Sequence, residues 1–160
     1  MTAATTGDLF AVLYAAHNVG DYWLQTDRQA REKGLPGWRG RKACAAHTAS
    51  LTAVKAAAVA ALHVTGRRVA WQRAGAALAA DAVSHYIIDR RKPLEVLAGA
   101  LEAPMGKLSF YRLGAPRPGR DDNPCMGTGA ALLDQAWHIG WLGVWALVAG
   151  ATSENLPGAA

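Results

Sequence analysis

Four stretches rich in Ala, Leu, Val, Ile and Trp divide the chain: 9–24, 44–64, 69–88 and 129–150. Each is long and nearly continuous in apolar residues, which predicts a helix packed on several sides rather than a strand. Gly34, Pro36, Gly37 and Gly40 break the charged connection after the first stretch. Thr65-Gly66-Arg67-Arg68 reads as a stop and turn after the second, and Arg90-Arg91-Lys92-Pro93 ends the third. Leu94–Leu101 has room for a short helix. Pro104, Gly106, Gly114, Pro116, Pro118 and Gly119 then predict an irregular connection, with a solvated turn at Asp121–Pro124. The predicted fold is all-α: an up-down-up-down four-helix bundle with that irregular segment before its last helix. One domain is expected over 1–150, followed by a disordered tail over 151–160. The helix lengths also suit a bundle that crosses a membrane.

Ionisable residues at helical spacing interrupt these apolar stretches. Asp81, His85 and Asp89 are spaced by four, which stacks them in one column on a helix face. His17 with Asp21 and Asp134 with His138 repeat the spacing, making four His–Asp pairs with 81/85 and 85/89. Five His and eight Asp placed at random would give about half a pair at this separation. A histidine clamped between carboxylates is the plain alternative to a metal ligand for any single pair. Position along the helices favours more. His17 and Asp21 end the first stretch, His47 opens the second, Asp81 to Asp89 end the third, and Asp134 and His138 open the fourth. In an up-down-up-down bundle all these groups share one end.

That set, His17, His47, Asp81, His85, Asp134 and His138, is the candidate metal-ligating group, with Asp21 and Asp89 as candidate catalytic carboxylates. Nitrogen and oxygen donors without thiolate suit Zn, Mn or Fe. The donors suffice for two ions with bridging carboxylates, or for one ion with outer acids orienting each imidazole. His63 lies at the far end of its helix and stays outside the site.

Composition narrows the class. The net charge is +5, but the basic residues gather between the apolar stretches, in 28–42, 67–73 and 90–120. No aromatic-studded basic helix accompanies them, so nucleic acid is not an expected partner. Cys44 and Cys125 form no disulfide framework or thiolate metal motif. No basic region precedes the first apolar stretch, which argues against a cleaved secretory signal. Mean hydropathy is +0.03, on the border between a soluble bundle and a small polytopic membrane protein. The first and third connections carry six and seven Lys/Arg and the second three, which by the positive-inside rule puts the site at the cytoplasmic end. Trp137, Trp141 and Trp145 make a stripe at helical spacing, suited to packing or to an interface.

The string from Ala16 to Asp27, with His17, Asp21, Leu24 and Gln25, resembles the H-x-x-x-D-(F/W)-x-L-Q opening of a bacterial and phage family known as domain of unknown function 3307. His85-Tyr-Ile-Ile-Asp89-Arg-Arg-Lys92 and Asp134-Gln135-Ala-Trp-His138 are similar to its other blocks, and His47 after the basic loop also fits. The resemblance implies a small integral membrane protein, multi-pass in the bacterial inner membrane, of unestablished activity. A looser similarity to membrane-bound metal-dependent hydrolases implies hydrolysis, with membrane lipid as a partner. Arg90, Arg91 and Lys92, with Lys42, would then meet an anionic or lipid-like phosphoester. Two other readings stand beside it: a membrane protein that binds or relays metal ions or protons, and a structural bundle whose His–Asp pairs fix register.

Overall fold

The computed structural model describes residues 1–115 and 128–150. Helix α1 runs Thr6–Val19 and opens on a reciprocal cap: Thr5 Oγ1 accepts from the Asp8 amide while the Asp8 carboxylate accepts from the Thr5 amide. It continues without a break into a π-helical turn, Gly20–Leu24, closed by the Gln25 amide on the Gly20 carbonyl at 2.9 Å. The remaining helices are α2 (Asp27–Glu32), α3 (Gly37–Val64), α4 (Trp71–Asp89), α5 (Lys92–Ala100), α6 (Glu102–Met105), α7 (Lys107–Tyr111) and α8 (Gly129–Gly150). Strands β1 (Thr2–Ala3) and β2 (Arg67–Arg68) form a two-residue parallel ladder.

The four long helices close a ring. Helix α1 packs on α3 and α8, and α4 packs on the same two. This is the bundle expected from the apolar stretches, and chain neighbours sit side by side as an up-down-up-down path requires. At one end lies an apolar core of Leu9, Leu13, Val59, Ala74, Ala77, Leu142 and Ala146. Its many alanines let the backbones approach closely. Strands β1 and β2 cover that end.

The connections hold more helix than their composition predicts. Thr26 caps α2 with the same reciprocal bond, to Gln29, so a segment read as broken by glycines starts with a helical turn. Between Leu101 and Gly114 the expected irregular chain forms α6 and α7 instead. Glu102 organises the pair, its carboxylate accepting from the Leu108 and Ser109 amides and the Ser109 hydroxyl. The turn at Asp121–Pro124, Cys125 and the tail over 151–160 lie outside the described residues.

One helix among the described residues, α3, is long and apolar enough by itself to cross a membrane. The distribution of polarity is informative beyond that count. From Ala43 to Val64 every exposed residue is Ala or Val, while His47 and Lys55 are buried. From Ala74 to Asp89 the exposed residues are Gly75, Ala76, Ala79, Val83 and Ile87, while Asp81, His85 and Asp89 are buried. Along these stretches of α3 and α4 the exposed positions are apolar and small or aliphatic, while their ionisable side chains turn inward.

Candidate metal centre

The π-helical turn is what seats the first ligand-bearing segment. A Cβ built on Gly20 would overlap Leu51 Cδ1, so glycine lets this turn press against α3 without moving that leucine. Single π-turns inside helices recur at functional sites. Here the turn places Asp21 one layer above His17 with its carboxylate aimed into the ring of helices. Helix α3 supplies His47, α4 supplies His85 and Asp89, and α8 supplies Asp134 and His138. The rings of His17, His47, His85 and His138 converge at one level, with His85 and His138 stacked at 4.0 Å between centroids.

Four donor atoms meet at the centre. His47 Nε2 is 3.1 Å from His85 Nε2, 3.2 Å from Asp21 Oδ1 and 3.4 Å from Asp89 Oδ2. His85 Nε2 is 3.1 Å from Asp89 Oδ2 and 4.0 Å from Asp21 Oδ1. Tetrahedral ligands at 2.0–2.1 Å from an ion stand about 3.3–3.4 Å apart. Four of these separations lie near that and the His85–Asp21 one is wider. Two triads, Asp21 with His47 and His85, and His85 with Asp89 and His138, could each hold a cation. Protons satisfy the group poorly. At most one proton fits between the two facing imidazole nitrogens, and Asp21 Oδ1 and Asp89 Oδ2 are both buried without a hydrogen-bond partner.

The outer carboxylate oxygens are held separately. Lys33 Nζ donates to Asp89 Oδ1 at 2.9 Å, and Gln135 Nε2 donates to Asp21 Oδ2 at 3.0 Å. His17 Nε2 lies 3.3 Å from Asp21 Oδ2, and His138 Nε2 lies 3.5 Å from Asp134 Oδ1 and 3.8 Å from Asp89 Oδ1. The far nitrogens of His17, His47 and His85 are buried without a protein partner, so the rings are positioned by packing on one another.

A cavity of about 350 Å³ opens from this cluster towards α5, α7 and α8. Asp89 and Asp134 form its floor, and Lys33, Arg91, Tyr111 and Thr128 line its walls. Arg91 enters it from a strained backbone. Its φ of 63° and ψ of −45°, with the Lys92 amide on the Arg90 carbonyl at 2.7 Å, define a γ-turn of the rare positive-φ form. Strain of this kind costs about 1–3 kcal/mol and collects at functional sites.

Of the residues expected in the site from spacing, His17, Asp21, His47, His85, Asp89, Asp134 and His138 come together. Asp81 does not. Its carboxylate is bound by Lys55 Nζ at 2.6 Å, in a buried pair between the histidine layer and the apolar core. Helix spacing put Asp81 in the column, but a cation on the neighbouring helix claims it. Asp21 and Asp89, expected as spare bases, face the imidazoles as ligands would. The basic triplet also divides. Arg91 reaches the cavity, whereas Arg90 donates to the Lys33 and Leu35 carbonyls and pins the α2–α3 connection. Lys92 is an exposed partner of Glu95. Lys33, Lys55, Gln135, Tyr111 and Thr128 were not anticipated. Only Lys55 left a signal, as the single charge within 43–64.

No curated protein and no solved structure matches the chain. A family model does, over residues 9–159, which include all seven residues of the cluster and the pair below it. The chain therefore belongs to the family described as protein of unknown function DUF3307.

Proposed function

We propose that the protein is a membrane-embedded metal-dependent hydrolase, holding a divalent ion on Asp21, His47, His85 and Asp89 and acting on an anionic phosphoester. The observation that carries this reading is the meeting of two imidazole nitrogens and two carboxylate oxygens at 3.1–4.0 Å in a buried group. Two carboxylates balance a divalent charge, and the nitrogen and oxygen donors suit Zn, Mn or Fe. Such an ion, when bound, lowers the pKa of a coordinated water and makes a hydroxide available near neutral pH.

The chain's own residues would do the rest. Lys33 and Arg91 both line the cavity, and their positive charge would suit a phosphoryl group there. Tyr111 and Thr128 add hydroxyls on the same walls. Membrane embedding is supported by the polarity of these stretches of α3 and α4, since ionisable groups in a lipid-facing protein turn to the interior and mark function. The basic connections follow α1 and α4 at the site end, and under the positive-inside rule this charge bias favours a cavity on the cytoplasmic side of a bacterial inner membrane, with lipid around the helices.

The test uses the full chain purified in detergent. It should bind metal stoichiometrically and hydrolyse a phosphate monoester, with chelator abolishing both and His47→Ala losing the metal. Protein that takes up no ion on titration would end the proposal. A second reading has an observation of its own: the Lys55–Asp81 pair carries ionisable groups deeper into the bundle, as an ion or proton relay would need. Metal binding without hydrolysis, together with proton or metal flux in vesicles, would select it.

A further inference from the structure

The two carboxylates at the centre are used on both edges, and the halves match. Asp21 turns Oδ1 to His47 and Oδ2 to His17. Asp89 turns Oδ2 to His47 and His85, and Oδ1 to His138. Asp21 thus stands between the pair His47 and His85 on one edge and His17 on the other, and Asp89 between the same pair and His138. The Nε2 atoms of His17 and His138 are both buried and lack a hydrogen-bond partner. Asp134 Oδ1 stands 3.5 Å from His138 Nε2, and Asp134 lines the cavity.

From this arrangement we infer a second divalent-cation site, made by His17, His138 and Asp134 and bridged to the first through Asp21 and Asp89. The inference rests on the metal reading above and fixes its nuclearity. Carboxylates that span two ions hold them about 3.5–4 Å apart, the geometry with which two-metal centres clamp the attacking and leaving oxygens of a phosphoester. The charges agree: Asp21, Asp89 and Asp134 supply three negative charges, and a phosphoester in the cavity supplies more.

The two sites differ in kind. The inner one is enclosed, with donor spacings of 3.1–3.4 Å along its close edges. The outer one is looser, at 3.3–3.8 Å, and adjoins the cavity. Its ion is therefore the weaker and more exchangeable, and it is the one with open positions for substrate. Lys33 Nζ donates to Asp89 Oδ1 and Gln135 Nε2 to Asp21 Oδ2, so an ion taking those oxygens would displace two donors. Lys33 lines the cavity and can swing out to meet the anionic substrate once displaced.

The experiment is metal stoichiometry on the full chain in detergent, stripped by chelator and titrated with Mn(II) or Zn(II) in equilibrium dialysis. The parent should bind two ions per chain, the second at least tenfold more weakly. Asp134→Asn, at a partly exposed position that spares the fold, should retain the tight ion and lose the weak one. His138→Gln should do the same, with far-UV circular dichroism to show that it remains folded. Mn(II)-loaded parent should give the electron paramagnetic resonance spectrum of a coupled pair, and Asp134→Asn that of an isolated ion. A parent that saturates at one ion overturns the second site and leaves the first intact. A parent that binds none removes both. Two ions undiminished in both variants would also overturn the assignment, because the second would then lie elsewhere.

Discussion

His47 Nε2 and His85 Nε2 face each other at 3.1 Å across the packing of α3 against α4. Both nitrogens are turned into a buried group that also contains two carboxylate oxygens, so an ion held among them would link three helices. Binding to the folded chain alone adds stability by mass action, about 2.7 kcal/mol at a hundred times the dissociation constant. For a chain of this size that corresponds to roughly 5–10 °C in melting temperature. Chelation should lower the melting temperature of the metal-loaded parent by that amount. His47→Ala should melt at the same temperature with and without chelator. A parent indifferent to chelator after metal loading would contradict the site.

Gly20 offers a test of how the π-helical turn positions Asp21. In Gly20→Ala the new methyl meets Leu51 Cδ1 at 2.2 Å, a clash that a packed interface relieves only by shifting. Overpacking of this kind costs about 1–3 kcal/mol. Gly20→Ala should lose stability in that range and bind metal more weakly. Adding Leu51→Ala should recover metal binding, because the leucine side chain supplies the nearest obstructing atoms. A double variant no better than the single one would place the defect in the backbone turn itself.

Arg91 holds its strained γ-turn while donating to the Ala30 carbonyl and packing across Gly34. Glycine tolerates positive φ without penalty. Arg91→Gly should therefore be more stable than Arg91→Ala by about 1 kcal/mol, measured by unfolding in denaturant. Both should bind inorganic phosphate more weakly than the parent by at least tenfold, since both remove the positive charge of a residue that lines the cavity. Phosphate affinity equal to the parent's would remove Arg91 from substrate binding.

How much of this was legible in the chain differs by residue. The histidines and their i+4 acids could be placed at one bundle end because helix periodicity and chain direction fix both face and level. Asp81 obeys the same periodicity and still falls outside the cluster, because Lys55 comes from a different helix and only packing reveals the pair. Lys33 was invisible for a related reason. It lies in a Gly-rich connection, and it reaches Asp89 only because Arg90 pins that connection through two carbonyls. The γ-turn at Arg91 had no sequence signal, since positive φ at arginine is imposed by its surroundings rather than preferred.

Glu32 anchors the segment that delivers Lys33, and its titration gives a pH test. The Arg39 guanidinium, then that of Arg28, holds the Glu32 carboxyl down from its ordinary value to about 2. A depressed carboxylate contributes stability that is present above the unfolded value, near 4.5, and is lost as pH falls through about 2. Hydrogen-exchange protection of α2 should therefore fall between those limits in the parent. Glu32→Gln should start lower and show no such step. Identical acid profiles for the two would show that the Arg39–Glu32–Arg28 bridge does not hold α2.

The Lys55–Asp81 pair separates a structural role from a ligand role most sharply. Lys55 is 0% exposed and Asp81 is 4% exposed, and the 2.6 Å contact joins α3 to α4. Removing one partner strands a buried charge, which costs about 3–5 kcal/mol. Replacing both with apolar residues of similar size removes the charge and its compensation together, and is commonly neutral or stabilising by about 1–4 kcal/mol. Lys55→Met alone and Asp81→Leu alone should each be strongly destabilised, while the double variant should unfold near or above the parent. The metal content of the double variant decides the role. As a pair set below the histidine layer, its loss should leave bound metal per chain unchanged. Were Asp81 a ligand, as its spacing from His85 suggests, the double variant would be stable and short of metal, and the column from Asp81 to Asp89 would have to be redrawn as one site.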